Sequence, residues 1–457
     1  MDILIQHGTL VTPTGSRIAD IRIRGEKIIE IGPDLPPAGA QQILADGCLI
    51  FPGFIDTHTH FDLDAGTFCT ADDFATGTKA AIAGGTTTIL DFTTQEKGEN
   101  LMEALERWHI LADGKCSCDY GFHMSITDWN DQVREELPVM TAQGVTSYKL
   151  YMAYDNLKVS DGEIFEILKA VKQEGGIAGV HCENGALIKK LAAELNAKGE
   201  TGPSAHPKSR PAQVEAEAVY RLLTIAKMAD TPVNIVHIST KQAYEIAAGA
   251  RKAGQKVYLE TCPQYLLLTE EKYALPGFES AKYVLSPPLR GMEDVNCLWQ
   301  ALEENQIDTI GTDHCSFHYR GQKERGKGDF TQIPNGLPGV EHRPVLLYTY
   351  GVSTGKITKE QMCQVLSENP ARLFGMYPRK GTLEAGSDAD IVIWDPKKED
   401  VISADTQFQN VDYTPYEGTK ITGKPRQVYL RGTLVFEENK FLKEKQGIYL
   451  HRKKSAL

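Results

Sequence analysis

The chain has no run of about 18 apolar residues, which excludes an apolar helix long enough to span a bilayer. Its opening, Met1-Asp2-Ile3-Leu4-Ile5, lacks the basic stretch and long apolar stretch of a secretory leader, so a cytoplasmic protein is expected. Positive charge is short: 49 Lys and Arg stand against 61 Asp and Glu, a formal charge of −12, which argues against a broad nucleic-acid face. No second Cys pair lies near Cys116-x-Cys118, so that spacing is not read as a metal knuckle. The nine cysteines are odd in number and scattered, the pattern of reduced thiols and not of a disulfide framework. No internal repeat or low-complexity stretch stands out. The one basic cluster, His451-Arg452-Lys453-Lys454, reads as a frayed, solvated tail.

What is present is an ordinary globular balance, 41% hydrophobic and 24% charged over 457 residues. That length accommodates one large α/β barrel with one small domain. Residues 1–50 read as β, with Ile3-Leu4-Ile5, Leu10-Val11, Ile21-Arg22-Ile23 and Ile28–Ile31 split by Gly8, Gly15 and Gly25. Residues 381–457 read alike, with strands at 390–394, 427–430 and 433–436. Neither piece has enough strands for a stable sheet alone, so the two ends are expected to form one small, discontinuous β-sandwich domain.

Between them, 51–380 alternates apolar β-rich runs with helical patterns. Eight strands are expected, at 49–61, 86–92, 120–126, 147–154, 177–184, 233–240, 257–266 and 309–315, with helices at 161–173, 213–229 and 241–253 among the connections. Strands alternating with helices imply parallel pairing and right-handed crossovers, and eight such units imply a closed (β/α)8 barrel.

A barrel of this kind presents its chemistry at the C-terminal ends of its strands. The first strand ends in Asp56-Thr57-His58-Thr59-His60, where side chains two apart share a face. The fourth carries Lys149, the fifth ends in His181, the sixth in His237 and the eighth in Asp313. A lone His or Asp at such a place is usually a hydrogen-bonded or capping group, and His7, His109, His206, His342 and His451 are read that way. Four His and one Asp recurring at the functional ends of four strands point instead to a divalent metal site, with zinc, manganese and cobalt all acceptable to these donors. A lysine buried among such ligands carries a costly charge; with a lowered pKa its amine would be nucleophilic toward CO2, and the carbamate has two oxygens able to bridge two metals. The plainer alternative is an ion pair between Lys149 and Asp313. Cys182, Cys262 and Cys315 are read as small buried apolar residues. Ala83-Gly84-Gly85-Thr86 precedes a strand, which argues against a phosphate cradle.

Several stretches together resemble the amidohydrolase superfamily and, within it, the dihydropyrimidinase/hydantoinase family. They are Phe51–His60, Tyr148-Lys149-Leu150-Tyr151-Met152-Ala153-Tyr154, His181-Cys182-Glu183-Asn184, Ile235-Val236-His237-Ile238-Ser239 and Thr312-Asp313-His314-Cys315. Glu260–Leu266, Ser286-Pro287-Pro288-Leu289-Arg290, Pro334–Glu341, Asn369-Pro370-Ala371-Arg372 and 380–390 extend the match over almost the whole chain. The resemblance implies that His58, His60 and Asp313 hold one metal and His181 and His237 a second. Carboxylated Lys149 and a hydroxide would bridge the two, which are zinc by preference. It further implies that Tyr154 polarises the carbonyl under attack, that Asp313 moves the proton, and that Ser286 and Asn335 hold the cyclic amide largely through backbone groups. The reaction would be opening of a hydantoin or 5,6-dihydropyrimidine ring to an N-carbamoyl amino acid, without an organic cofactor, by a homotetramer.

Three rivals remain open. Allantoinase is one. Dihydroorotase is a second, although the position matching its carboxylate-binding Arg is here Asp62. The third is a non-catalytic scaffold of the collapsin-response-mediator type, which would be expected to have lost ligands that are all present here. The first loop, 61–69, carries Asp62 and Asp64 where an apolar wall would suit an aryl substituent, and Asp155-Asn156-Leu157-Lys158 is similarly polar. A preference for small or polar substituents is therefore expected.

Overall fold

A computed structural model describes residues 2–66 and 68–455; Thr67, in the first loop, lies outside them. At the start of the chain Ile3–Thr12 folds back antiparallel on Gly15–Arg24, and Lys27–Gly32 continues the meander. Leu49–Pro52 then pairs parallel with the first strand and antiparallel with Ile391–Val401, which draws in Lys420–Leu430 and Thr433–Glu437. The two ends thus share one nine-stranded mixed sheet. Successive side chains point to opposite faces, and the burial follows that period. Ile391, Ile393 and Tyr429 close over Ile5, Leu10, Ile21, Ile23 and Ile28 on one face. Val392, Trp394 and Val428 on the other face merge with the barrel's core.

The barrel consists of Phe54–Thr59, Thr86–Thr94, Asp119–Ser125, Ser147–Tyr151, Ile177–His181, Val233–Ile235, Val257–Thr261 and Thr309–Ile310, eight strands in chain order. The ring closes where Thr59 bridges His314 in parallel, with the His60 N–H donating to the His314 carbonyl at 2.8 Å. These strands are covered on both faces and buried almost throughout, so their apolar residues do not alternate cleanly with polar ones. Asp161–Gln173 begins at Ser160, whose hydroxyl takes the Glu163 N–H while the Glu163 carboxylate takes the Ser160 N–H. Lys241–Lys252 is capped by Thr240 in the simpler way. Among the described residues no helix is long and apolar enough to cross a membrane.

Two expectations are corrected here. The run 49–61 is two strands in two sheets, Leu49–Pro52 and Phe54–Thr59, parted at Gly53. A Cβ on Gly53 would meet Thr87 Oγ1 at 2.0 Å, so only glycine lets the chain pass from one sheet to the other there.

The basic tail is likewise not frayed. The Tyr120 N–H donates to the Ile448 carbonyl (3.1 Å), the Leu450 N–H to Tyr120 (2.8 Å) and the Lys453 N–H to Gly375 (3.0 Å). Residues 448–455 therefore strap the base of the barrel. Arg452 is buried beneath it, giving Nη1 to Ser147 Oγ at 2.7 Å and Nη2 to the Phe122 carbonyl. Of the basic cluster, His451, Lys453 and Lys454 keep to solvent. Gly144 and Gly375, both with positive φ, let the strap lie flush; a Cβ on Gly375 would meet the Lys453 carbonyl oxygen at 1.9 Å.

Candidate active site

His58, Lys149 and His181 lie within their strands, whereas the strands leading to Tyr154, His237 and Asp313 stop before those residues. Tyr154, His237 and Asp313 have φ of 67°, 41° and 52°, left-handed values that non-glycine residues seldom adopt. The paired strands end two or three residues earlier, at Tyr151, Ile235 and Ile310, and the left-handed backbone that follows carries these three side chains, so local strain accompanies the site.

Two donor sets sit side by side there. His58 Nε2 and His60 Nε2 are each 3.2 Å from Asp313 Oδ1, and the three donor atoms lie within 4.8 Å of one another. His181 Nδ1 faces His237 Nε2 at 3.0 Å. The His58 and His237 rings, 5.5 Å apart between centroids, join the sets. Lys149 is 1% exposed, with Nζ 4.8 Å from the Phe92 ring centroid and 5.3 Å from that of Tyr151. Among the described residues no carboxylate forms an ion pair with Lys149. The plainer expectation of a Lys149–Asp313 pair gives way because Asp313 turns its oxygen to the imidazoles.

Each set is oriented from behind. His58 Nδ1 and Glu260 Oε1 lie 2.5 Å apart, and the other Glu260 oxygen accepts from Thr57 Oγ1 at 3.1 Å. With Nδ1 so engaged, Nε2 is the atom aimed into the mouth, where it is buried without a hydrogen-bond partner. His181 Nε2 likewise lies 2.9 Å from Glu183 Oε2, which also accepts from Arg210 Nη1 at 2.5 Å. That leaves His181 Nδ1 free to face His237. Converging imidazole nitrogens, an orphaned buried Nε2 and acids behind the rings are the donor chemistry of a divalent-metal centre.

The electrostatics sort the groups. Burial opposes a charge on His58, but Glu260, helped by Asp313, carries it up to about 9. Burial takes His60 down to about 4, against the pull of Asp313. Burial brings Lys149 down to about 8, partly offset by Asp313 and Glu260. Asp313 is held well below the carboxylate range by His58 and His60 in spite of its burial. Burial raises the thiols of Cys182, Cys262 and Cys315, in keeping with their reading as inert core residues.

Beside His181, whose ring centroid is 5.3 Å from that of Tyr154, the Arg210 guanidinium lies 5.6 Å from the Tyr154 ring centroid. Burial pushes the Tyr154 hydroxyl up and Arg210 opposes it. Ser286 Oγ is buried without a partner. Its loop is joined to that of Asn335 by the Gly336 N–H, which donates to the Val284 carbonyl at 3.0 Å. The acids of the first loop do local work: Asp62 accepts the Phe74 N–H at 2.9 Å and Asp64 the Gly66 N–H at 2.7 Å. Asp62 thus caps the start of the Phe74–Ala83 helix and Asp64 closes a turn.

Sequence reasoning assigned no role to Glu260, Glu183 or Arg210. Glu183 was within reach, being two residues from His181 and so on its side of an extended chain. Glu260 meets His58 only through barrel closure, 202 residues away.

The amidohydrolase family profile matches residues 49–435. A D-hydantoinase of Geobacillus stearothermophilus is 46% identical over 454 residues, covering 99% of this chain and 96% of its own. A D-phenylhydantoinase of Escherichia coli strain SE11 is 40% identical, over 99% of this chain and 98% of its own. The crystal structure of dihydropyrimidinase from Brevibacillus agri superposes with a TM-score of 0.99 at 44% identity, covering 100% of both chains. With its donor sets at the mouth of an eight-stranded barrel and these relatives along its whole length, the chain belongs to the amidohydrolase family and, within it, to the dihydropyrimidinase/D-hydantoinase group.

Proposed function

We propose that this protein hydrolyses a cyclic ureide, a hydantoin or a 5,6-dihydropyrimidine, opening its amide bond to give an N-carbamoyl amino acid. The observation that carries the reading is the pair of adjacent donor sets, His58/His60/Asp313 and His181/His237, around a buried lysine that no carboxylate neutralises among the described residues. Family membership gives the reaction class, and the names of the relatives narrow the substrate.

His58, His60 and Asp313 would hold one divalent cation and His181 and His237 a second, zinc by preference. Two such cations, when bound, supply an activated water and polarise a carbonyl. Lys149, carboxylated at Nζ by CO2 with one N–C bond formed and one proton lost to solvent, would add a carbamate anion to these holders. Tyr154 donates its hydroxyl proton in a hydrogen bond to the carbonyl oxygen as that oxygen gains charge. Asp313 takes the proton of the attacking water and delivers it to the departing ring nitrogen. Backbone groups around Ser286 and Asn335 hold the ring. Residues 51–380 act as the catalytic barrel and residues 1–50 with 381–457 as its companion sandwich domain, in a cytoplasmic homotetramer.

The test is a ring-opening assay on metal-loaded protein of known metal content, with hydantoin, phenylhydantoin, dihydrouracil and allantoin as substrates. The expected result is an N-carbamoyl product from a hydantoin or from dihydrouracil. Protein with two metals per chain that opens neither refutes the reading, and preference for allantoin redirects it.

A further inference from the structure

Lys323 is fully buried, at 0% exposure, and no part of the chemistry above uses it. Lysine is almost never fully buried without an ionic partner, yet among the described residues no carboxylate forms an ion pair with it. Its Nζ donates instead to two backbone carbonyls, Val284 at 2.9 Å and Pro334 at 3.0 Å. Val284 lies two residues before Ser286, and Pro334 immediately precedes Asn335. The Val284 carbonyl also accepts from the Gly336 N–H at 3.0 Å, so one oxygen is shared by both ties.

The turn that presents Lys323 is itself anchored on three sides. The Lys323 N–H donates to the His318 carbonyl at 3.0 Å. The neighbouring Gln322 amide reaches the Cys69 carbonyl of the first loop at 2.9 Å. At the end of the turn, a Cβ on Gly326 would meet Ile333 Cγ1 at 2.1 Å, so the turn lies against the segment leading to Asn335. Burial brings the ammonium down to about 7. The neutral amine still has two N–H donors for two carbonyls, so the tie does not depend on charge.

We propose that Lys323 is a positioning residue for the ureide slot: by tying the Val284–Ser286 and Pro334–Gly336 backbones together it sets the spacing of the two loops that receive the ring. This rests on the reading of Ser286 and Asn335 as ring-binding positions. An apolar residue of the same length would fill the space as well, so the two donors, not the volume, are what the site uses.

The test is steady-state kinetics of Lys323→Met on unsubstituted hydantoin, with metal content and thermal midpoint measured in parallel. Methionine keeps most of the stem and removes both donors. The expected result is a KM raised at least about tenfold with kcat changed by less than about threefold and metal content unchanged, because a misplaced slot weakens ring binding while the reacting groups stay in place. Lys323→Gln, which is shorter and reaches one carbonyl, should fall between. Unchanged KM in a folded Met variant overturns the proposal. So does an equal loss in kcat and metal content, or failure of both variants to fold, which would make Lys323 an element of folding alone. A crystal structure of the wild-type protein with hydantoin bound separates the two levels. A ring lying away from Ser286 and Asn335 refutes the binding reading. A ring lying between them, with normal KM in Lys323→Met, refutes only the role of Lys323.

Discussion

Lys380 sits where the barrel base meets the sheet made by the chain ends, and its removal should be costly in a pH-dependent way. The side chain is 2% exposed and its Nζ lies 2.6 Å from Asp119, 2.6 Å from Asp390 and 3.0 Å from Asp388. After Lys380→Met, Asp119 still has Arg431, and Asp388 still has Lys27 and Arg379. Asp390 is left with the Arg431 N–H at 2.8 Å and a long contact to Thr87 at 3.5 Å, and with no cation. Removing one partner of a buried ion pair costs about 3–5 kcal/mol, and here the loss falls mainly on Asp390. Burial already pushes the Asp390 carboxyl up, and Lys380 is the main influence holding it down. Without Lys380 the folded-state pKa rises further above the unfolded value of about 3.9. An acid shifted that way loses stability as pH rises from the unfolded pKa through the folded one. Urea unfolding at fixed metal concentration should therefore show a deficit of about 3–5 kcal/mol at pH 8 that shrinks toward pH 5, where Asp390 takes up a proton. Lys380→Met/Asp390→Asn should recover most of it. A deficit below about 1 kcal/mol at pH 8, or one that does not shrink toward pH 5, would refute the assignment of the cost to an uncompensated Asp390.

The remaining predictions concern the mouth of the barrel. Lys149→Ala should lose most of the metal and nearly all turnover, with partial return on adding a short carboxylic acid; a variant with two metals per chain and normal turnover would rule out the carbamate. Tyr154→Phe should keep its metals while kcat falls by roughly 10²–10³, the usual cost of one oxyanion donor. A fall of less than about threefold would make Tyr154 a packing residue. Glu260→Gln should weaken metal binding by about 10–100-fold in a chelator competition by loosening His58, and unchanged affinity would reduce Glu260 to a structural group.

The residues that meet at the barrel mouth were legible because a barrel puts its strand ends there and because His58 and His60 obey the period of two. Where each strand ends was not legible. Apolar character continues through Ala153, Val236 and Ile238, while the ladder stops at backbone turns that a sequence pattern does not encode. The Asp161–Gln173 helix has the bounds expected of it, and its ends carry chemical signals in the sequence, Ser160 with Glu163 at the start and Gly175 just past the end. Groups that act through long-range contacts were missed for one shared reason. Glu260 behind His58, Lys323 beneath Val284 and Arg452 under Phe122 are polar residues whose partners are brought near only by the closed ring. A local window sees each as a solvated charge. The acids of the first loop have local partners that composition does not show: Asp62 accepts the N–H at the start of the Phe74–Ala83 helix and Asp64 closes a turn at Gly66.

The strap at residues 448–455 bears on how the protein is made. The last barrel strand, Thr309–Ile310, leaves the ribosome about 145 residues before Ser455 does. At about 5–20 residues per second the interval is roughly 7–30 s. Throughout it the residues of all eight strands have been made, but the base has neither Arg452 beneath Phe122 and Ser147 nor the backbone pairing of Tyr120 with Ile448 and Leu450. A barrel that forms in that interval does so with the Phe122 carbonyl unmet by Arg452 and its base without the strap. A chaperone that shields this end, or slow translation across 311–447, would act on the yield of folded protein without touching a single catalytic group.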